Sequence, residues 1–275
     1  MGVLSGYKIL NLSTNLPGPF AAARLRDYGA EVVKVEPPGG DAMQHLGAGW
    51  YEKLVANMAV CALDLKTESG IAEVHQLLCD TDLLLTASRP AALARLGLDW
   101  DTLHIAYPHL CQVAIVGYPP PDENKAGHDL TYQAAYGTLD PPAMPRVLVA
   151  DLAGAERAVS EAMALLFARE RSGDAGFSYV ALSEAGRDFG DCIRYDVTVP
   201  GGILGGGLPN YRIYETRAGY LAVAALERHF FVRLMAALSL EEEETGALEA
   251  KFMERSANEW EDWGREQDLP LEAIH

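Results

Sequence analysis

The sequence predicts an α/β protein: a parallel sheet with helices on its faces, followed by a smaller α+β domain. Three observations carry this expectation. Short apolar β-type runs alternate with helix-type segments through the first half of the chain, as in successive β-α-β units. A long amphipathic segment follows, from Asp151 to Gly173. Then the composition shifts to glycine over residues 200–207, a natural place for a close-approach loop and a domain boundary. The expected domains are therefore residues 1–198 and 199–275.

Each element has its own signal. Tyr7-Lys8-Ile9-Leu10-Asn11-Leu12 reads as a strand, and Pro17-Gly18-Pro19 as a turn whose prolines open a helix over 20–28. Gly29 closes that helix. Glu31-Val32-Val33-Lys34-Val35 is the next strand, ended by Pro37-Pro38-Gly39-Gly40. A helix over 70–78, a strand over 82–86, a helix over 90–96 and a strand over 110–116 continue the alternation. Leu152, Ala155, Val159, Ala162, Met163 and Leu166 recur at three- and four-residue steps, the period of an amphipathic helix. Residues 178–182 return as a strand, and 211–214 and 220–224 look like paired strands around Thr216-Arg217-Ala218-Gly219. Helices are expected from Arg228 to the end.

Composition narrows the function. The 275 residues include 39 Asp+Glu against 22 Lys+Arg, giving a net charge of −17 and a pI near 4.7. Phosphate-backbone binding needs a basic footprint, so nucleic acid is a poor partner, as is an anionic membrane surface. Twelve acids and three bases lie from Glu241 onward, about half of the excess, and read as a solvated helical face. Cys61, Cys79, Cys111 and Cys192 show no metal-ligand spacing, so no metal is expected and the thiols read as small apolar groups in a reducing compartment. Met1-Gly2-Val3 carries no basic leader, and the apolar runs fall short of the ~20 residues that span a bilayer. A cytoplasmic protein without a membrane segment is the expectation.

Three residues stand where chemistry could occur. His128, in Gly127-His128-Asp129, follows a proline-rich turn beyond a strand end, where open α/β sheets collect ligands. It reads as a general base or as a surface histidine. Asp151 precedes the long helix and reads as its N-cap, or as a carboxylate kept ionised by the helix dipole and open to a cleft. Glu227 ends the run from Tyr220 and reads as a site carboxylate, a helix-start acid or an ion-pair partner of Arg228. The glycine-rich stretch lacks the strand and helix context of a dinucleotide site.

The strings holding these residues resemble a known family. Asn11-Leu12-Ser13-Thr14-Asn15-Leu16-Pro17-Gly18-Pro19 and Tyr28-Gly29-Ala30-Glu31-Val32-Val33-Lys34-Val35-Glu36-Pro37 come first. Ala62-Leu63-Asp64-Leu65-Lys66, Arg89-Pro90, Gly127-His128-Asp129-Leu130-Thr131-Tyr132, Val149-Ala150-Asp151-Leu152-Ala153-Gly154 and Gly207-Leu208-Pro209-Asn210-Tyr211 follow in order. Together they resemble family III CoA-transferases (the CaiB/BaiF type), most closely the racemase branch. The resemblance implies a Rossmann-like large domain, a smaller domain and two chains interlocked as a homodimer. It implies an acyl-CoA thioester as substrate, with CoA part of the substrate and no separate cofactor.

The resemblance also implies roles. In the racemase branch, Asp151 and His128 would be opposed acid/base groups, with Glu227 paired to His128. In the transferase branch, Asp151 would instead be a nucleophile toward the thioester. Inverting a carbon α to a thioester requires two such groups in opposite protonation states. Backbone N–H groups at the start of the Asp151 helix are the expected donors to the enolate oxygen. Lys34, Arg89 and Tyr132 are the expected contacts to the carrier. The family's cations before Ala62-Leu63-Asp64 are replaced here by Asn57-Met58-Ala59-Val60-Cys61, which weakens the expected hold on CoA phosphates. A racemase or epimerase of 2-methylacyl-CoA is the first expectation. A CoA-transferase, and a divergent binding protein or enzyme of a non-CoA substrate, are the alternatives.

Overall fold

A strand covered on both faces loses polar alternation, and two strands of this chain do so completely. Leu83–Thr86 is buried at all four positions and Cys111–Val116 at all six. The computed structural model describes residues 2–241 and 245–275 and divides into two units, one ending at Gly190 and the other starting at Asp191.

The first unit runs β1 (Lys8–Asn11), α1 (Pro17–Asp27), β2 (Glu31–Glu36), α2 (Met43–Leu46), α3 (Ala48–Val55), β3 (Ala59–Ala62), α4 (Glu68–Leu78) and β4 (Leu83–Thr86). It continues with α5 (Pro90–Arg95), α6 (Trp100–Ala106), β5 (Cys111–Val116), α7 (Asp129–Tyr136), α8 (Val149–Ser172), β6 (Phe177–Ala181) and α9 (Leu182–Phe189). The six strands are all parallel, in the order β3-β2-β1-β4-β5-β6. This is the doubly wound Rossmann-like order, whose direction reverses between β1 and β4. On one face Ile9, Val32, Leu85 and Val113 pack against Ala21, Leu25, Ala155 and Val159 of α1 and α8. On the other, Leu10, Val35 and Leu84 meet Val74, Leu78, Leu93 and Leu103 of α4, α5 and α6.

The second unit contains α10 (Asp191–Arg194), β7 (Tyr211–Glu215), β8 (Tyr220–Ala224), α11 (Arg228–Leu238), α12 (Thr245–Phe252), α13 (Ala257–Glu266) and β9 (Leu271–Ile274). The strands form an antiparallel sheet, β7-β8-β9, over a core that includes Tyr214, Leu221, Leu234, Phe252 and Trp260.

Three expectations change. The unit boundary falls at 190/191 rather than 198/199, because residues 192–207 fold back on themselves. The Val197 amide donates to the Cys192 carbonyl at 2.9 Å, and Leu204 donates to Val197 at 2.8 Å. The chain ends in a strand, not a helix: Pro270 blocks helix continuation and Leu271 and Ala273 alternate inward. The acidic stretch is not wholly a solvated face either. Residues 242–244 lie outside the described residues, and Glu261 is buried, accepting the Ala273 amide of β9 at 3.1 Å. Among the described residues no helix is long and apolar enough to cross a membrane.

Candidate active site

Three site candidates of the first unit, His128, Tyr132 and Asp151, lie on α7 and at the start of α8, which follow β5. His128 is the N-cap residue of α7, and the Thr131 hydroxyl donates to its carbonyl at 2.7 Å while accepting its amide at 3.0 Å. The residue is exposed. Asp129, the first residue of α7, is only 4% exposed. Its Oδ1 accepts the amides of Ala150 at 2.8 Å and Asp151 at 3.1 Å, and its Oδ2 accepts Gln133 Nε2 at 2.6 Å. Gln133 Nε2 also donates to the Val147 carbonyl at 3.0 Å. The first turn of α8 is thus capped by a carboxylate from another helix, which satisfies donors that a helix start leaves orphaned.

That cap corrects two expectations. Asp151 is not the N-cap: α8 begins at Val149, with Leu148 as a cap residue that gives no side-chain bond. The Ala150 and Asp151 amides, expected as enolate donors, are occupied by Asp129. The electrostatic expectation reverses as well. Burial first, then the charge of Asp129, push the Asp151 carboxyl up from 3.8 to about 7, so desolvation outweighs the helix dipole.

Tyr132 is enclosed rather than open to a carrier. It is 1% exposed, and a Cβ on Gly117 would lie 2.4 Å from its hydroxyl, one on Gly127 2.5 Å from its ring. Those two glycines admit the ring, which meets Tyr118 edge-on at 5.3 Å. Burial, then Tyr118, Asp151 and Asp129, push its hydroxyl up to about 12. Its ring fills the space that Gly117 and Gly127 leave open.

Lys34 is likewise unavailable to phosphate. Its ammonium is fully buried and bonds Glu36 at 2.5 Å and Asp41 at 2.8 Å. Glu36 lies two residues on, the same face of β2, and Asp41 also accepts the amides of Asn15 at 2.9 Å and Met43 at 3.0 Å. The triad anchors the loop after β2. Lys34→Met, which strands two buried carboxylates, is expected to lower stability by about 3–5 kcal/mol in urea unfolding.

Arg89 is exposed at the N-cap of α5, beyond the end of β4, with no ion pair among the described residues. It stands beside the reversal point of the sheet. There Asn11 Nδ2 and Thr86 Oγ1, at the ends of β1 and β4, are buried without hydrogen-bond partners among the described residues. Met58 packs against the cores around α1 and α3, while Ala59 opens β3 exposed. Glu227 belongs to the second unit, exposed as the N-cap residue of α11 just past β8.

The sequence profile of CoA-transferase family III matches residues 4–275. The chain belongs to CoA-transferase family III. It is 30% identical over 259 residues to the succinyl-CoA–D-citramalate CoA-transferase of Chloroflexus aurantiacus, covering 86% of this chain and 64% of that protein. It is 31% identical over 261 residues to the α-methylacyl-CoA racemase of Mus musculus, covering 88% and 66%. The chain therefore spans about two thirds of the length of these relatives. A crystal structure of a CaiB/BaiF family protein from Brucella suis shares the fold, with a TM-score of 0.81 at 22% identity over all of this chain and 84% of that one. A hypothetical protein from Mycobacterium tuberculosis superposes with a TM-score of 0.84 at 23% identity, again over all of this chain and 84% of that one. Family III thus includes relatives of both activities at similar distance from this chain.

Proposed function

We propose that this family III chain inverts the α-carbon of 2-methylacyl-CoA thioesters by two-base proton transfer. The observation that carries this reading is the Asp151 carboxyl, raised to about 7 by burial and Asp129. A racemase needs each flanking group to give and to take a proton at one pH, which a group titrating near neutrality does best. A nucleophilic carboxylate is instead best kept ionised. His128, exposed at the start of α7, is the second acid/base group. Arg89, exposed beyond the end of β4, meets the carrier's phosphates.

The test is α-proton exchange and inversion of a 2-methylacyl-CoA in heavy water. Similarity to the Chloroflexus enzyme favours a second reading, CoA transfer with Asp151 as nucleophile. Transfer of CoA to a free acid, with a hydroxylamine-trappable acyl-enzyme and no dependence on His128, would establish that reading instead.

Two further expectations belong here. The working unit is an interlocked homodimer, so sedimentation should give about twice 29.8 kDa without dissociation on dilution. A clean monomer at micromolar concentration would remove it. CoA itself should bind no tighter than high micromolar at moderate salt, since Lys34 is buried and residues 57–61 supply no cation. Met58 is partly packed, so Ala59→Arg is the cleaner repair, expected to tighten CoA about tenfold at low salt, ~1.4 kcal/mol. Calorimetric titration reads both, and sub-micromolar CoA binding by the parent would contradict the expectation.

A further inference from the structure

Away from Asp151, the sheet face formed by β5 and β6 is incompletely covered by α5 and α6. A cavity of about 140 Å³ remains there, walled by Trp100, Phe177 and Tyr179. Trp100 stacks on Phe177 with centroids 5.6 Å apart, and Phe177 meets Tyr179 edge-on at 4.6 Å. Gln112 and Ala114 of β5 line the cavity; Gln112 is 1% exposed and its amide oxygen accepts no hydrogen bond among the described residues. A buried acceptor left unmade is costly, and each such group in a folded protein calls for an explanation.

The charged side chains that line this cavity have one sign. Asp99 and Asp101 line it at the start of α6. Asp99 is fixed there by the Thr102 amide and hydroxyl, at 3.2 and 2.8 Å, whereas Asp101 is exposed and makes no ion pair among the described residues. Glu123 stands close by on the loop before α7, which the Ala91 amide ties to α5 by donating to Asn124 Oδ1 at 3.0 Å. One Glu123 carboxylate oxygen is also buried without a partner among the described residues. Burial, then Glu123, Asp101 and Asp99, all push the Tyr179 hydroxyl up. No Lys or Arg lines the cavity among the described residues.

These features ask for the same ligand chemistry. The unmet amide oxygen needs an N–H or O–H donor, the carboxylates need a positive charge, and aromatic faces attract a cation. We propose that this cavity binds a small organic cation bearing N–H donors, an alkylammonium or a guanidinium. The pocket's size admits a head group and a short stem, and its charge excludes an anion such as a phosphate.

The 275-residue chain, ¹⁵N-labelled, is titrated with methylguanidinium, methylammonium and tetramethylammonium at fixed ionic strength, following the Trp100 indole resonance. Methylguanidinium or methylammonium should saturate with a dissociation constant of about 1–10 mM. Tetramethylammonium has the same charge but no N–H for Gln112, and should bind at least about tenfold more weakly. Gln112→Leu should lose about tenfold in affinity while melting no lower than the parent, because it deletes an unsatisfied oxygen. Asp101→Asn, at an exposed position where folding is not at stake, should also weaken binding severalfold. The proposal is overturned by a linear, unsaturable response to both N–H cations. Equal binding of tetramethylammonium overturns it too, as does unchanged affinity in Asp101→Asn.

Discussion

Asp151→Asn is expected to slow α-proton exchange of a 2-methylacyl-CoA by about 10²–10⁴-fold, the range that positioned acid/base groups supply. The substitution keeps the shape of the side chain and leaves the first turn of α8 capped by Asp129, so the loss should fall on turnover rather than folding. Stability should move the other way. The Asp151 carboxyl is raised from 3.8 to about 7 in the folded chain. Below about pH 4 folded and unfolded chains both hold its proton, and the group costs nothing. Above pH 7 the folded chain carries a charge that burial and Asp129 oppose, a penalty of at most about 4 kcal/mol before solvent screening. The Asn variant should therefore melt above the parent at pH 8 and alongside it near pH 4. Normal inversion by that variant would remove Asp151 from the mechanism, whatever its melting point.

What the sequence disclosed follows from where each signal lies along the chain. The runs Leu83–Thr86 and Cys111–Val116 are local and apolar, so the parallel core and its alternation with helices were legible. Ala59–Ala62 was not, because an edge strand of small, largely exposed residues carries no burial pattern. The family's site string pointed to His128 and Asp151, whereas Asp129 looked like the tail of a motif. Its role depends on a cap spanning 22 residues, from α7 to the Asp151 amide. Gln133, four residues on along the same helix face, was the one local hint. Lys34 was read as a phosphate ligand because its partner Asp41 arrives from a loop, although Glu36 at the i+2 position already shared its face. The burial of Tyr132 rests on Gly117, fifteen residues upstream. Burial, with the non-local charge of Asp129 second, raises the Asp151 carboxyl, which a helix-dipole argument alone gets backwards.

Asp129 should be separable into a structural and an electrostatic part by two variants. Asp129→Ala leaves the Ala150 and Asp151 amides and the Gln133 side-chain amide without the acceptor they now share. Unmade buried hydrogen bonds cost about 1–3 kcal/mol each, so a total loss of about 3 kcal/mol or more is expected in urea unfolding, with inversion lost as the start of α8 loosens. Asp129→Asn retains an oxygen for the two backbone amides and removes the negative charge together with the Oδ2 acceptor of Gln133, so its stability should fall by less than that of Asp129→Ala. Its effect should appear in the pH profile. With the second-largest cause of the raised Asp151 value gone and burial remaining, the Asp151 carboxyl should titrate below about 7 but still above 3.8. The limb of the rate profile that reports this group should shift to lower pH by that partial amount. An unmoved limb, in a variant that folds, would assign the whole rise to burial and leave Asp129 as a helix cap alone.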